Sequence, residues 1–157
     1  MVEVNSRLQR LILKSGKNTV LKTYSVSTSK NGLGQIDGSF CTPRGMHFIR
    51  AKIGDGSPAN TVFVGRRPTG EIFSEKLKLQ YPERDWILTR IMWLSGCEVG
   101  INRLGEVDTM RRYIYFHGSP DSVEMGKPGS VGCIRMRNKD IIELFKLVSI
   151  GTRVNIT

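Results

Sequence analysis

Ser130-Val131-Gly132-Cys133-Ile134-Arg135-Met136 sets one cysteine between a glycine and a short apolar-cationic run. Sixteen residues upstream, His117 ends an aromatic-rich stretch, Tyr113-Ile114-Tyr115-Phe116. Between the two lies an excursion from Gly118 to Gly129 that contains Pro120, Gly126 and Pro128. The reactive form of a cysteine is its thiolate, and an adjacent imidazole generates it and later returns the proton to a leaving amine. His117 is the one imidazole in this local unit. Gly132 lets the backbone approach a substrate closely, and the amides of Gly132 and Cys133 can face a developing oxyanion. A backbone carbonyl at Gly118 or Ser119 is the simplest group to hold the second ring nitrogen. Arg135, two residues past the cysteine on the same strand face, suits a substrate carboxylate. Set against this, a lone cysteine is more often a buried small hydrophobe, and cysteine-hydrolase signatures do not transfer between families.

The rest of the chain reads as short strands and turns. Residues 7–14 and 19–27 suit two strands, with Leu8, Leu11 and Leu13 apolar in the first and Val20, Leu21, Tyr24 and Val26 in the second. Ser15-Gly16-Lys17-Asn18 is a hairpin turn between them. A polar, glycine-rich loop follows to Ser39, then the turn Cys41-Thr42-Pro43-Arg44-Gly45 and a strand at 46–49. Residues 54–75 read as loop interrupted by a strand at 61–64, and 76–85 as loop or turn. Trp86-Ile87-Leu88 and Ile91-Met92-Trp93-Leu94 suit buried strands. The segment 95–110 is long and glycine-punctuated, the kind of loop that covers a site. Residues 112–117 form a central strand. Asn138 reads as a helix N-cap with Asp140 in the first turn, and Ile141, Leu144, Phe145 and Val148 make the apolar face. Gly151 ends that helix, and 152–156 closes the chain as a strand.

With 157 residues, a single domain able to bury a sizeable core is expected, in need of no staple. Seventeen glycines between β-rich runs favour a mainly β fold. The net charge of +10 allows an anionic partner. The basic residues are dispersed, however, and no nucleic-acid motif is present, so nucleic acid is not the expected partner. Cys41, Cys97 and Cys133 are odd in number and none is at metal-ligand spacing, so neither a disulfide framework nor a metal site is indicated. Cys41 reads as structural, and His47 as a strand histidine rather than a base. No membrane span and no signal segment appear.

Three blocks together resemble the catalytic domain of the L,D-transpeptidase family, cysteine enzymes acting on peptidoglycan stem peptides. They are Thr42-Pro43-Arg44-Gly45, Ile114-Tyr115-Phe116-His117-Gly118, and Gly129 through Met136, with Gly151 to Ile156 similar to the family's closing strand. The block from Tyr113 to Met136 is the specific part. The resemblance implies a single catalytic domain over 1–157: a β-sandwich with a substrate cradle, a lid loop and a short C-terminal helix before the last strand. It implies Cys133 as nucleophile and His117 as general base and acid. It also implies backbone roles for Gly132 and Gly118, substrate contacts from Arg135, Ser130, Thr42 and Pro43, and no metal or cofactor. Val131 departs from the pattern, since the family commonly has a histidine at that place, and acceptor handling is what the change would touch.

The same resemblance implies cleavage between the third stem-peptide residue, usually meso-diaminopimelate, and the terminal D-alanine. The acyl-enzyme then passes to water or to an amine. With no leader in the sequence, the expectation is a cytoplasmic L,D-carboxypeptidase that trims tetrapeptides or muropeptides. A periplasmic transpeptidase whose leader was removed is the alternative, and an inactive cell-wall-binding module is the alternative from another class.

Overall fold

The computed structural model describes residues 1–157. Its strands are β1 (Val2–Asn5), β2 (Arg10–Lys14), β3 (Val20–Ser25), β4 (Gly45–Ile53), β5 (Thr61–Val64), β6 (Arg67–Ile72), β7 (Ile87–Gly96), β8 (Tyr115–Ser119), β9 (Ile134–Arg137) and β10 (Arg153–Ile156). Two helices, α1 (Glu75–Gln80) and α2 (Asn138–Leu147), accompany them. All ten strands join one sheet ordered β3-β2-β1-β10-β4-β7-β5-β6, with β8 and then β9 branching from β7.

Alternation drives the pairing. Leu11 and Leu13 of β2 and Val2 and Val4 of β1 turn inward, while Arg10 and Glu3 stay outside. One core takes Val4, Leu11, Ile49, Leu94, Phe116, Ile134 and Val154 from seven different strands, together with Ile141, Leu144 and Phe145 of α2. A sheet can gather so many strands on one core only by curling over it, and α2 closes the opening against β7, β8 and β9. Each of these fully buried aliphatic or aromatic side chains contributes roughly 1.5–3 kcal/mol. The fold is mainly β with one short helix before the last strand, as the sequence implies.

Several boundaries differ from the sequence reading, each for a local reason. Residues 2–5, read as no element, form β1 because β2 and β10 flank them and take both edges. Residues 67–72 form β6 despite Pro68, which is tolerated because β6 is an edge strand. The 76–85 loop is partly helix: the Ser74 hydroxyl accepts the Leu77 N–H at 3.1 Å and caps α1. The two apolar runs of 86–94 belong mostly to one strand, β7, whose register slips between Leu88 and Ile91 where Thr89 takes a φ of +74°.

Asn138 is not the N-cap. Arg137 holds that position, and Asn138 is the first helical residue, buried, with its amide between Thr89 Oγ1 at 2.6 Å and Asn60 Oδ1 at 2.9 Å. The helix stops at Leu147, capped by Val148, and Gly151 instead serves the turn into β10. The strand expected from 112 starts only at Tyr115, because residues 111–113 form a turn with Tyr113 at a φ of +55°.

Candidate active site

Strands β8 and β9 run parallel, with Phe116 opposite Ile134 and His117 opposite Arg135. Phe116, Ile134 and Met136 point into the core. Alternation then sends Tyr115, His117, Cys133 and Arg135 to the other face. The thiol and the imidazole thus share one face as diagonal neighbours. The two strands meet in parallel although only the short 120–133 excursion joins them, which is what brings residues 117 and 133 together.

His117 is fully buried, and its Nδ1 lies 2.7 Å from the Gly118 carbonyl. A carbonyl only accepts, so Nδ1 carries the proton and Nε2 is the free base. Nε2 has no hydrogen-bond partner in the protein. Gly118 is needed here: a Cβ would sit 2.6 Å from the Leu88 carbonyl and 2.9 Å from Thr89 Cβ, and would also press on Asn138.

The Cys133 sulfur accepts the Tyr115 N–H at 3.3 Å and donates to the Tyr113 carbonyl at 3.4 Å. Burial pushes this thiol up to about 12, partly opposed by the Tyr115 N–H. Burial also holds the His117 imidazole below its ordinary value, with Asp85 acting in the opposite direction. At neutral pH the pair rests as thiol and neutral imidazole, not as an ion pair.

The turn before Cys133 is braced from behind. Residues 27–30 lie along 130–135, with bridges Ser27 to Arg135 and Ser29 to Ser130. Thr42 is fully buried; its hydroxyl donates to the Gly132 carbonyl at 2.8 Å and accepts the Ser29 N–H. Pro43 is buried beside it. The Ser130 hydroxyl donates to the Cys133 carbonyl and accepts the Gly132 N–H at 3.2 Å. Gly132 takes a φ of +133°, a conformation L side chains rarely adopt. The Cys133 N–H has no acceptor in the protein, so it stands ready for an oxyanion, whereas the Gly132 N–H is already engaged.

Cys133 opens into a cleft of about 740 Å³. Its lining combines Asp37, Gly38 and Phe40 with Gly65, Arg66, Asp85 and Ile87, and with residues 112–115 and Val131. The wall at 37–40 is tied down by Arg112, whose guanidinium donates to the carbonyls of Gly34, Gln35 and Cys41. The 95–110 segment, expected to cover a site, contributes no lining side chain. It holds the turn before β8 through Asp108, which accepts the N–H groups of Leu104 and Arg111. Arg135 is committed to Asp85 at 2.9 Å and to the Gly129 carbonyl at 3.1 Å, so its guanidinium is not turned free into the cleft. A second recess of about 730 Å³, around Asn60, Pro120 and Asn138, contains neither Cys133 nor His117.

A family model for the YkuD-type L,D-transpeptidase catalytic domain matches residues 1–156. The chain belongs to the L,D-transpeptidase catalytic-domain family. Over 46 residues it is 48% identical to YkuD of Bacillus subtilis, described there as a candidate L,D-transpeptidase, covering 29% of this chain and 28% of that protein. The L,D-transpeptidase of Xylanimonas cellulosilytica has a similar fold, with a TM-score of 0.62 at 19% identity, over 99% of this chain and 59% of that one. L,D-transpeptidase 3 of Mycobacterium tuberculosis, solved with a faropenem-derived adduct, gives a TM-score of 0.59 at 13% identity, over 99% and 59% of the two chains. The chain therefore spans less than two thirds of the length of each of these relatives.

Within this L,D-transpeptidase-type domain the other thiols and the other imidazole stand apart. The Cys41 sulfur faces the carbonyls of Asn31 and Ser39, and Cys97 lies beside Arg153. His47 is a buried core histidine held by the Gly45 carbonyl and Thr109 Oγ1. Val131, where the family commonly has a histidine, is 41% exposed on the cleft lip. Sequence reasoning missed Arg66, Asp85 and Arg112, because each reaches the cleft from a segment read as turn or strand start. The one available signal was Gly65-Arg66 between two short strands, a two-residue hairpin tip.

Proposed function

We propose that this domain cleaves peptidoglycan tetrapeptides at the L,D bond between the third residue and the terminal D-alanine, by acyl transfer through Cys133 with water as acceptor. The observation that carries the reading is the shared face of β8 and β9. A thiol that opens into the cleft and an unengaged amide stand there in front of a buried base whose outer nitrogen is free.

In this reading Nε2 of His117 takes the thiol proton as the sulfur attacks the scissile carbonyl carbon. The Cys133 N–H donates to the oxyanion. The imidazolium then protonates the departing D-alanine amine and a thioester remains. Water, deprotonated by the same Nε2, cleaves the thioester and releases the tripeptide acid and the free thiol. Val131 favours water over an amine: an apolar side chain on the lip offers no hydrogen bond to orient an incoming acceptor, while water needs only to reach Nε2. The net positive charge suits a donor carrying several carboxylates. The reading carries with it a cytosolic donor, which cell fractionation tests.

The test is to incubate the protein with a free tetrapeptide and with a cross-linkable pair, and to resolve the products by mass. Tripeptide plus D-alanine supports this function. Dimer alone moves the function to cross-linking, the activity for which the relatives are named. No product with either donor leaves a binding module.

A further inference from the structure

We propose that the outer face of the sheet, beside the cleft, carries an anion site in which Arg50 and Arg66, gathered on the Trp93 indole, together bind a diphosphate. The site stands outside the acyl-transfer machinery and does not depend on it.

Trp93 lies on β7 between Ala51 of β4 and Tyr115 of β8. Its Nε1 donates to the Met110 carbonyl at 3.1 Å, which fixes the ring. The Arg50 guanidinium lies 5.1 Å from the ring centre and that of Arg66 lies 4.6 Å from it. Backbone irregularities deliver both side chains. Ile49 pairs with Leu94 and Ala51 with Trp93, so Arg50 is the extra residue of a β-bulge, a feature that re-aims a side chain. Val64 pairs with Arg67, so Gly65 and Arg66 are the two-residue tip of the β5–β6 hairpin, at φ of +55° and +64°. Such tips favour glycine and asparagine, so the arginine is there against local preference.

The charges are uncompensated. Neither guanidinium makes an ion pair. Each donates once to a hydroxyl, Arg50 Nη1 to Ser95 Oγ at 3.2 Å and Arg66 Nη1 to Tyr115 at 3.1 Å, and the other donors of both forks have no protein acceptor. Arg112 and Arg135 differ, since the carbonyls of the 34–41 wall hold the first and Asp85 the second. Two like charges on one ring repel, in a chain that already carries +10, and a bound anion relieves that repulsion. A carboxylate fills one guanidinium fork, whereas a diphosphate presents an oxyanion to each of two. The surface is open, with Arg50 exposed and Trp93 part-buried. With two guanidiniums already over the indole, charge rather than base stacking holds the ligand.

The experiment is isothermal titration of the purified protein with inorganic pyrophosphate at fixed low ionic strength. One site is expected. Arg50→Gln and Arg66→Asn each weaken it by about 10–100-fold, the worth of a charge-assisted hydrogen bond, with melting temperatures unchanged. Arg66→Lys recovers part of the loss. Arg10→Gln removes the same charge from β2, which β1 and β10 separate from β4, and leaves the affinity within about 2-fold because a distant charge is screened. UDP binds as pyrophosphate does, malonate binds more weakly, and uridine does not bind. No binding of pyrophosphate by the unmodified protein overturns the assignment. So does a loss in Arg10→Gln equal to those at Arg50 and Arg66, or binding of malonate or uridine as tight as that of pyrophosphate.

Discussion

The Cys133 thiol rests on the carbonyl of Tyr113 at 3.4 Å, and the buried Nε2 of His117 is left without any partner. The proposed nucleophile and base share a face but are not hydrogen-bonded at rest. In the proposed mechanism the thiol leaves Tyr113 for the imidazole when substrate arrives, a tightening common in sites whose resting geometry is loose.

This has a direct consequence for reactivity. Burial raises the Cys133 thiol to about 12, so at neutral pH almost none of it is thiolate. The alkylation rate of Cys133 by iodoacetamide, followed by peptide mass spectrometry, should keep rising beyond pH 9 without levelling. A plateau reached by pH 7 would instead mean a preformed thiolate–imidazolium pair.

Asp85 acts on the His117 imidazole. Its carboxylate raises the pKa of His117, while Arg135 lowers it. Asp85→Asn removes the first influence and leaves the second unneutralised, so both changes push the imidazole pKa down. With the His117 imidazole held low by burial, the acid limb of kcat/KM is expected below the ordinary histidine value of about 6.5. In the variant it moves to lower pH still, and a limb that stays put or rises contradicts the electrostatic account.

Gly118 fixes how β8 sits against β7. A Cβ at this position meets the Leu88 backbone, which cannot yield as a side-chain tip does. Gly118→Ala should cost about 1–3 kcal/mol in urea unfolding, the usual range for overpacking. A stability unchanged within error would mean that β8 can shift, and with it His117.

His47 governs acid stability rather than chemistry. Burial lowers its folded-state pKa to about 4 from an ordinary 6.5. A histidine held neutral in the fold contributes fully above pH 6.5, and the contribution drains away as pH falls towards 4. The linkage is worth about 3 kcal/mol. Unfolding free energies between pH 7 and 4 should fall more steeply for the natural protein than for His47→Gln, and parallel curves would remove His47 from the acid response.

What the sequence disclosed was what local patterning encodes. Leu11 and Leu13 announced β2, Ile141, Leu144 and Phe145 announced α2, and the Tyr113–Met136 block carried the family. The arrangement of the cleft was less legible, because it depends on long-range meetings. Arg66 reaches Tyr115 across 49 positions and Arg135 reaches Asp85 across 50. Asn138 shows the same limit: its residue type suits a cap, yet Thr89 and Asn60 draw it inside the helix start. Val2 and Val4 did alternate, but four residues are too few to read as a strand until β2 and β10 flank them.

Cys133, alone among the three thiols, is proposed to be the acylated nucleophile. Incubating the protein with a carbapenem and mapping the adduct by mass spectrometry tests it most directly. One adduct is expected, on Cys133, absent from Cys133→Ala and never on Cys41 or Cys97. An adduct on either of those cysteines, or none at all on the natural protein, would contradict it.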